Sequence, residues 1–289
     1  MPKPTNFMKA GLLTAILILF ILAAPAAADH SEFQVSIDTA SNDRWDNPAI
    51  AMDNVDEAGE GGNIVIVWEE NSGTYSGGRD IKARVYSASG EPLSNAPILV
   101  NNTTAGTQFN PDIAMDGSGN FVVVWESSTN TLDSPDIFGQ RFDSSGNKVG
   151  GEFRVNTEIT GQQREPSIAM DSTGDFIVVY VSYAFDAVGD IYAQVFNNDG
   201  TPSGSEFRVH DDPYGQQETP DVAMDDIGNF VVVWRDYNTT LGHPPIVFRQ
   251  FDSNGKAIGT MTRTRVNDTI AVPTSDPAVA INRDGAFVV

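Results

Sequence analysis

The sequence predicts an all-β fold, and three observations support that prediction. With 26 Gly and 16 Pro in 289 residues, the composition favours short elements joined by tight turns. The apolar segments are short, rich in Val, Ile, Phe and Tyr, and bounded by Gly, Asn, Asp and Pro, which is the pattern of β-strands. Four kinds of segment also recur in a fixed order, at a spacing of about 55 residues, so the strands belong to a repeat.

The start of the chain predicts an export signal over residues 1–28. Lys3 and Lys9 give a short basic region, Gly11–Ala24 is predominantly apolar, and small residues follow as far as Ala28. This order is typical of a cleaved secretory signal. We therefore expect residues 29–289 to be the mature chain, secreted or held in the cell envelope, with no membrane span once the signal is removed.

Charge and cysteine content exclude several function classes. The chain carries 39 Asp and Glu against 17 Lys and Arg, a net charge of -22, which would repel nucleic acid and anionic membranes. It has no cysteine, which excludes disulfides, thiolate nucleophiles and Cys metal sites. An extracellular protein or a polysaccharide is the partner that these properties favour.

The first and second strands of each repeat carry the clearest motifs. The first reads P-x-[IV]-A-[MI]-[DN], and copies begin near residues 48, 111, 166, 220 and 277. The second is apolar at every position, as in FVVVW, so we expect both of its faces to be covered. It ends on an aromatic residue that we expect in the core between sheets rather than on a sugar-stacking surface. These aromatic residues are Trp68, Trp125, Tyr180 and Trp234.

The third and fourth strands follow after a loop. The third strand resembles DIxxQxF, and the fourth resembles EFRVN, with its first copy at residues 32–36. Arg or Gln occupies one shared position of the third strand in each repeat, and we expect this position to face solvent or a channel. That position holds Arg84, Gln140, Gln194 and Arg249.

Turns of the form [D/N/S]-x-x-G join the first strand to the second and the third to the fourth. The first residue can accept a backbone hydrogen bond that closes a type I turn, and the Gly then adopts a left-handed conformation. We expect that conformation at Gly119, Gly146, Gly174, Gly200, Gly228 and Gly255. Each repeat is then four antiparallel strands, which is the blade of a β-propeller. About four and a half blades fit into residues 29–289.

The repeat resembles those of TolB-type and related bacterial β-propellers. It is more similar still to a repeat of large secreted bacterial proteins, which residues 111–157 match almost position for position. This resemblance implies a secreted or surface scaffold and supplies no catalytic residues. The fifth copy of the second strand is cut at Val289, so we expect the chain to be a C-terminally truncated fragment that forms an open arc or a poorly closed ring.

The sequence offers only weak candidates for chemistry. Acidic residues in the turns could bind calcium, but each turn supplies one or two acids where calcium needs six or more oxygen ligands, so turn closure is favoured and no cofactor is expected. These residues are Asp116, Asp143, Asp171, Asp225 and Asp252. The three histidines have no zinc-site spacing, and no nucleophile motif occurs.

Two kinds of function remain open. We favour a binding or adhesion scaffold without an active site, whose ligand contacts lie in the variable loops between strands two and three. Those loops are residues 71–79, 127–135, 182–189 and 236–244. The alternatives are a secreted carbohydrate-active enzyme of glycosidase or sialidase type, which needs a pair of carboxyl groups, and a structural protein of a surface layer or matrix.

Overall fold

The computed structural model describes residues 44–53, 62–71, 78–128, 134–184, 188–211, 215–237, 244–259, 264–266 and 276–289. The predicted export signal, the strand at residues 32–36, and the central parts of the predicted ligand loops lie outside these residues. In the described part of the chain, no helix has the length and hydrophobicity needed to cross a membrane.

Four four-stranded sheets account for most of the described residues. The first sheet consists of β1 (Arg44–Met52), β2 (Ile64–Asn71), β3 (Arg79–Tyr86) and β4 (Ile98–Leu99). The second consists of β5 (Thr107–Met115), β6 (Phe121–Ser128), β7 (Asp136–Phe142) and β8 (Lys148–Arg154). The third consists of β9 (Gln163–Met170), β10 (Phe176–Ser182), β11 (Asp190–Phe196) and β12 (Phe207–Arg208). The fourth consists of β13 (Gln217–Met224), β14 (Phe230–Asp236), β15 (Ile246–Phe251) and β16 (Thr264–Arg265).

A two-stranded hairpin, β17 (Ala280–Ile281) and β18 (Phe287–Val288), follows the fourth sheet. Within every sheet, strands adjacent in sequence pair antiparallel, so each repeat is a meander. The first strands of successive sheets contact one another and therefore lie innermost, around a common axis. The prediction of four-stranded propeller blades is confirmed, and we number the sheets and the final hairpin as blades one to five.

The hairpin turns have the predicted geometry. All six glycines for which we expect a left-handed conformation have φ between 74° and 92°. In the turn after β5, the N–H of Gly119 donates to the carbonyl of Asp116 at 3.1 Å, and Oδ1 of Asp116 accepts from the N–H of Ser118 at 2.8 Å. These bonds close the turn locally, as the sequence predicts.

Neighbouring blades share apolar cores, which explains the all-apolar second strands. All eight residues of β6 are buried. Trp125 lies in the core between blades one and two, Tyr180 in the core between blades two and three, and Trp234 in the core between blades three and four. Trp68 packs in a separate cluster with Tyr86. The strand-ending aromatic residues are therefore core residues, as expected.

The prediction for the polar position of the third strand is wrong. The four residues at this position, Arg84, Gln140, Gln194 and Arg249, are buried or nearly so and do not face solvent. Gln194 donates through Nε2 to the carbonyls of Val195 and Gly204, and Arg249 donates to the carbonyl of Val209 in the preceding blade. Blade stacking covers both faces of this strand, so the position satisfies buried main-chain carbonyls.

Candidate functional site at the loop end of the axis

The two ends of the axis differ in construction. At one end, which we call the turn end, the [D/N/S]-x-x-G turns close the hairpins. At the other, which we call the loop end, the first strand of each blade begins and the second strand ends. Arg44 pairs with Asn71 there, and Gln217 pairs with Asp236. The loops between strands two and three leave from Asn71 and Asp236, so the loops that the sequence favours for ligand binding border the loop end.

Residues that precede the repeated prolines lie at the loop end, inside a β-bulge. Asn47, Asn110, Glu165 and Thr219 have φ of 48°, 49°, 55° and 50°, a left-handed region that residues other than glycine seldom occupy. The register of the first two strands shifts at the same place in each of the four blades. The bulge directs the main-chain N–H of this residue towards the preceding blade.

A second set of polar residues follows the strand-ending aromatic residues. Glu69 and Glu126 have exposed fractions of 1% and 0%, whereas Val181 and Arg235 take the same place in blades three and four. Asp276 precedes the last repeated proline and is 76% exposed. Together these two sets form what we call the axial cluster. It consists of Asn47, Glu69, Asn110, Glu126, Glu165, Thr219, Arg235 and Asp276.

Hydrogen bonds in the axial cluster run from blade to blade. The N–H of Asn110 donates to Oε1 of Glu69 at 2.7 Å, and the N–H of Glu165 donates to Oε1 of Glu126 at 2.9 Å. The N–H of Thr219 in turn donates to Oε2 of Glu165 at 2.8 Å. Each carboxyl group thus binds the bulged backbone of the next blade, and the bulge and the acid depend on each other.

Glu126 and Thr219 each contribute a buried side-chain oxygen to the axial cluster. Oε2 of Glu126 and Oγ1 of Thr219 are buried and have no hydrogen-bond partner among the described residues. Oε1 of Glu126 already accepts from Nδ2 of Asn110 at 2.7 Å as well as from the backbone of Glu165. A proton on Glu126 therefore belongs on Oε2.

Burial changes the protonation of these acids. It raises the pKa of Glu126 to about 7, although hydrogen bonds from Asn110 and Glu165 act in the opposite direction. Burial also raises the pKa of Glu165, the N–H of Thr219 lowers it, and the charges of Glu218 and Asp276 raise it further. Carboxyl groups with raised pKa values are frequent at functional sites.

Arg235 provides a cation on one side of the axial cluster. Its Nη1 donates to Oε1 of Glu218 at 2.9 Å, and its Nη2 donates to Oδ1 of Asp276 at 2.8 Å. Asp276 therefore reaches solvent while an ion pair holds it in place. Glu165 is half-buried, and its Oε1 has no hydrogen-bond partner among the described residues. The negative charge of Asp276 lies close enough to raise the pKa of Glu165.

A second layer of polar residues lies one step deeper along the axis. Oδ2 of Asp112 accepts from the N–H of Ile168 at 2.9 Å, and Oδ2 of Asp221 accepts from the N–H of Val279 at 2.7 Å. The hydroxyl group of Ser167 also donates to this carboxyl group, at 3.0 Å from Oδ1 of Asp221. Burial raises the pKa of Asp112 to about 6. This layer again joins the first strand of one blade to that of another.

The acids that the sequence singles out for calcium lie at the opposite, turn end. Asp116, Asp143, Asp171, Asp225 and Asp252 each accept hydrogen bonds from their own turn. In the described part of the chain, no group of three or more His, Asp or Glu side chains is arranged to hold a metal ion.

Sequence reasoning missed the axial cluster, although a signal for it exists. Residues that recur in every blade stabilise the blade itself. Positions at which the residue type changes from blade to blade are therefore candidates for a different role. The residue before the repeated proline reads Asn, Asn, Glu, Thr and Asp through the five repeats. Glu69 and Glu126 follow the strand-ending tryptophans of the first two repeats, but the equivalent residues of the next two are Val181 and Arg235. The sequence therefore does not show that all four positions meet at one end of the axis.

Comparison with known proteins supports the fold. No protein-family model matches the chain, and no curated protein matches it in sequence. A solved structure of Penicillium chrysogenum α-L-arabinanase complexed with arabinobiose is similar, with a TM-score of 0.58 and 18% identity over 83% of this chain and 73% of that chain. A protein of unknown function from Dyadobacter fermentans has a TM-score of 0.52 and 13% identity over 75% of this chain and 68% of that chain.

A Hadza microbial sialidase is also similar, with a TM-score of 0.51 and 12% identity over 76% of this chain and 46% of that chain. At these identities the likeness concerns the fold alone, and it agrees with the β-propeller that the strand pairing shows. The resemblance to the TolB-like repeat family is not confirmed by these comparisons. The chain has a β-propeller fold that it shares with carbohydrate-active enzymes.

Proposed function

We propose that this chain is an extracellular, carbohydrate-active β-propeller that binds a neutral glycan at the axial cluster and hydrolyses it with Glu165 and Asp276. The observation that carries the proposal is the position of Glu165, a half-buried carboxyl group on the axis beside a second, exposed one. The similar arabinanase and sialidase structures support the choice of carbohydrate as the ligand class.

Glu165 has the properties of a proton donor. Its raised pKa keeps a larger fraction protonated in mildly acidic solution, which is what a general acid in glycoside hydrolysis requires. Its Oε2 is fixed by the N–H of Thr219, while Oε1 is available to a ligand. The left-handed backbone of Glu165, with φ of 55°, is a strained conformation of the kind found at functional sites.

Asp276 supplies the second carboxyl group that hydrolysis needs. Its pairing with Arg235 fixes its position, and its 76% exposure leaves it open to a ligand or a water molecule. Acids outnumber bases in the axial cluster, and Arg235 already binds both Glu218 and Asp276. This balance favours a neutral glycan over an anionic one such as a sialoside.

Turnover assays on neutral polysaccharides, arabinan among them, test the proposal. We expect hydrolysis by the unmodified chain and a loss of about a hundredfold or more in the Glu165→Gln variant, as for removal of a general acid. Glu158→Gln is the matched control, because Glu158 lies nearby in sequence and its carboxyl group accepts from the residues of its own exposed turn. Equal turnover by Glu165→Gln and the unmodified chain would overturn the catalytic role.

The pH dependence of hydrolysis gives a further readout. Because the acid form of Glu165 is required, the rate should fall as the pH rises through the raised pKa of this residue. The same fall should be absent from any residual activity of Glu165→Gln.

A binding scaffold without turnover is the second candidate, and the blade-to-blade hydrogen bonds favour it. Glu69, Glu126 and Glu165 each accept a main-chain N–H of the next blade, which is a structural task. Glycan binding that is lost in Asp276→Asn, without hydrolysis by the unmodified chain, would support the scaffold over the enzyme.

A further inference from the structure

An inter-blade cleft at the turn end differs from its counterparts in the same molecule. It lies between blades two and three, on the side opposite the axial cluster, and has a volume of about 260 Å³. Phe121, Phe142 and Met170 are among the apolar residues that line it, and Arg141 is its cation. The volume is slightly below the range of pockets that hold drug-sized ligands, so it suits a single sugar-sized molecule.

The repeat is broken at Arg141, which lines the cleft. The equivalent residues of blades one and three are Val85 and Val195, with exposed fractions of 2% and 6%. Gly146, in the second hairpin turn of blade two, packs against Val85 and Ile98 of blade one. The corresponding Gly200 of blade three instead meets the side chain of Arg141.

A second break, at Gly139, accompanies the first. Blades one and three have Ala83 and Ala193 at this position, paired across strands with Ile98 and Phe207. In blade two, Gly139 pairs with Phe153, whose Cζ would lie only 2.6 Å from a Cβ at position 139. The ring of Phe153 therefore lies over Gly139 of the neighbouring strand, and it also contacts the ring of Phe196 in blade three, with centroids 5.5 Å apart. Apolar side chains fill the space below the turn glycine at the other two boundaries, and a guanidinium group occupies it here.

Arg141 forms no close ion pair among the described residues, although its charge helps to lower the pKa of the exposed Asp199 carboxyl group. Its Nη1 donates to the main-chain carbonyl of Asp199 in blade three. Asp116, which also lines the cleft, is occupied by its own turn, because it accepts from Ser118 and from both the main chain and side chain of Asn120. The remaining donors of Arg141 suit a carboxylate from outside the chain.

The rim of the cleft supplies acceptors for hydroxyl groups. Nδ2 of Asn120 donates to Asp116 at 2.8 Å, and Nδ2 of Asn198 donates to the carbonyl of Thr173 at 3.2 Å. Both side chains are exposed, and their Oδ1 atoms have no hydrogen-bond partner among the described residues. An amide oxygen without a partner accepts from a hydroxyl group, so the cleft combines one cation, two acceptors and an apolar wall.

We propose that this cleft binds a small polyhydroxylated carboxylate, namely a hexuronic acid, with the carboxylate on Arg141 and hydroxyl groups on Asn120 and Asn198. The site is separate from the axial cluster and does not depend on hydrolysis there. Because the chain has a net charge of -22, binding is weak and weakens further as salt screens the Arg141 contact.

Calorimetric titration with D-glucuronate, D-glucose and acetate tests each part of this site. D-glucuronate should bind, and glucose, which lacks the carboxylate, should bind at least about tenfold more weakly. Acetate, which lacks the hydroxyl groups, should also bind more weakly. A trigalacturonate arm distinguishes a free uronic acid from the end of a polysaccharide, since only an accessible terminal unit can enter the cleft.

Variants then locate the binding. Arg141→Val restores the residue of blades one and three and is therefore expected to fold, as Arg141→Gln is. Both should lose about tenfold or more in glucuronate affinity. Arg154→Gln removes the same charge from an exposed position of the same blade and should retain the affinity. Failure of glucuronate to bind the unmodified chain, equal binding of glucose, or an equal loss in Arg154→Gln would overturn the proposal.

Discussion

The main-chain N–H of Glu165 in blade three donates to Oε1 of Glu126 in blade two at 2.9 Å. This bond needs the left-handed backbone of Glu165, and the buried carboxyl group of Glu126 in turn needs that donor. The stability of the blade boundary and the chemistry of the axial cluster therefore depend on the same pair of residues.

Stability should be greater in mild acid than at alkaline pH. The folded chain raises the pKa of Glu126 from 4.5 to about 7 and that of Asp112 from 3.8 to about 6. A raised carboxyl pKa stabilises the folded state fully below the unfolded pKa, and this contribution is lost as the pH rises through the folded pKa. The melting temperature should therefore decrease as the pH rises from 5 to 8, a range that extends roughly one pH unit beyond the two pKa values.

Glu126→Gln isolates the contribution of Glu126 to that pH dependence. The amide keeps the Oε1 acceptor for Asn110 and Glu165 and removes the ionisation. We expect the variant to match the unmodified chain near pH 5 and to exceed its melting temperature near pH 8. An identical pH dependence in both proteins would show that Glu126 does not titrate in this range.

Glu126→Ala should be much more harmful at either pH. It removes the acceptor of two half-buried donors, Nδ2 of Asn110 and the N–H of Glu165, which costs up to about 1–3 kcal/mol for each unsatisfied group. Urea denaturation at pH 5, where charge effects on Glu126 are smallest, measures the loss. A variant as stable as Glu126→Gln would contradict the role of this carboxyl group at the blade boundary.

Two turn glycines separate backbone strain from packing. Gly228 and Gly204 have φ of 84° and 79°, but a Cβ at Gly228 would lie 2.9 Å from Cβ of Ser253, whereas nothing lies within 4 Å at Gly204. We expect Gly204→Ala to lose about 1 kcal/mol from the left-handed backbone, and Gly228→Ala to lose more. Equal losses in urea denaturation would show that the contact with Ser253 relaxes at no cost.

The buried Asn156 links the third and fourth strands of blade two. Its Oδ1 accepts from the N–H of Ile137 at 2.8 Å, and its Nδ2 donates to Oδ1 of Asp136 at 2.7 Å. Asn156→Ala should therefore lose about 1–3 kcal/mol in urea denaturation. His210 occupies the same place in blade three, so His210→Asn restores the repeat and is expected to fold normally. A stable Asn156→Ala variant would contradict this role.

The sequence predicts the strands, their antiparallel pairing and the turn conformations, because each depends on local chemistry. Asp116 and Gly119 close their turn with bonds inside five residues, so no knowledge of the ring is needed. The burial of Gln194 could not be predicted in this way. Alternation assigns a face to a side chain, but the neighbouring blade decides whether that face is solvent or core.

The axial cluster also depends on contacts between blades. Glu69 and Asn110 are 41 positions apart, and Glu126 and Glu165 are 39 apart. The repeat hides such pairs, since a motif shows what the blades share. The residues that differ at a shared position, such as Glu165 and Thr219 before their prolines, are the ones that form the site.

The location of a bound glycan tests the axial cluster most directly. A crystal structure of the Glu165→Gln variant with a neutral oligosaccharide, arabinobiose first among the probes, would show that location. We expect a sugar at the loop end of the axis, within hydrogen-bond distance of Asp276 and the substituted side chain. An oligosaccharide bound only at the turn end or on the outer strands would contradict it.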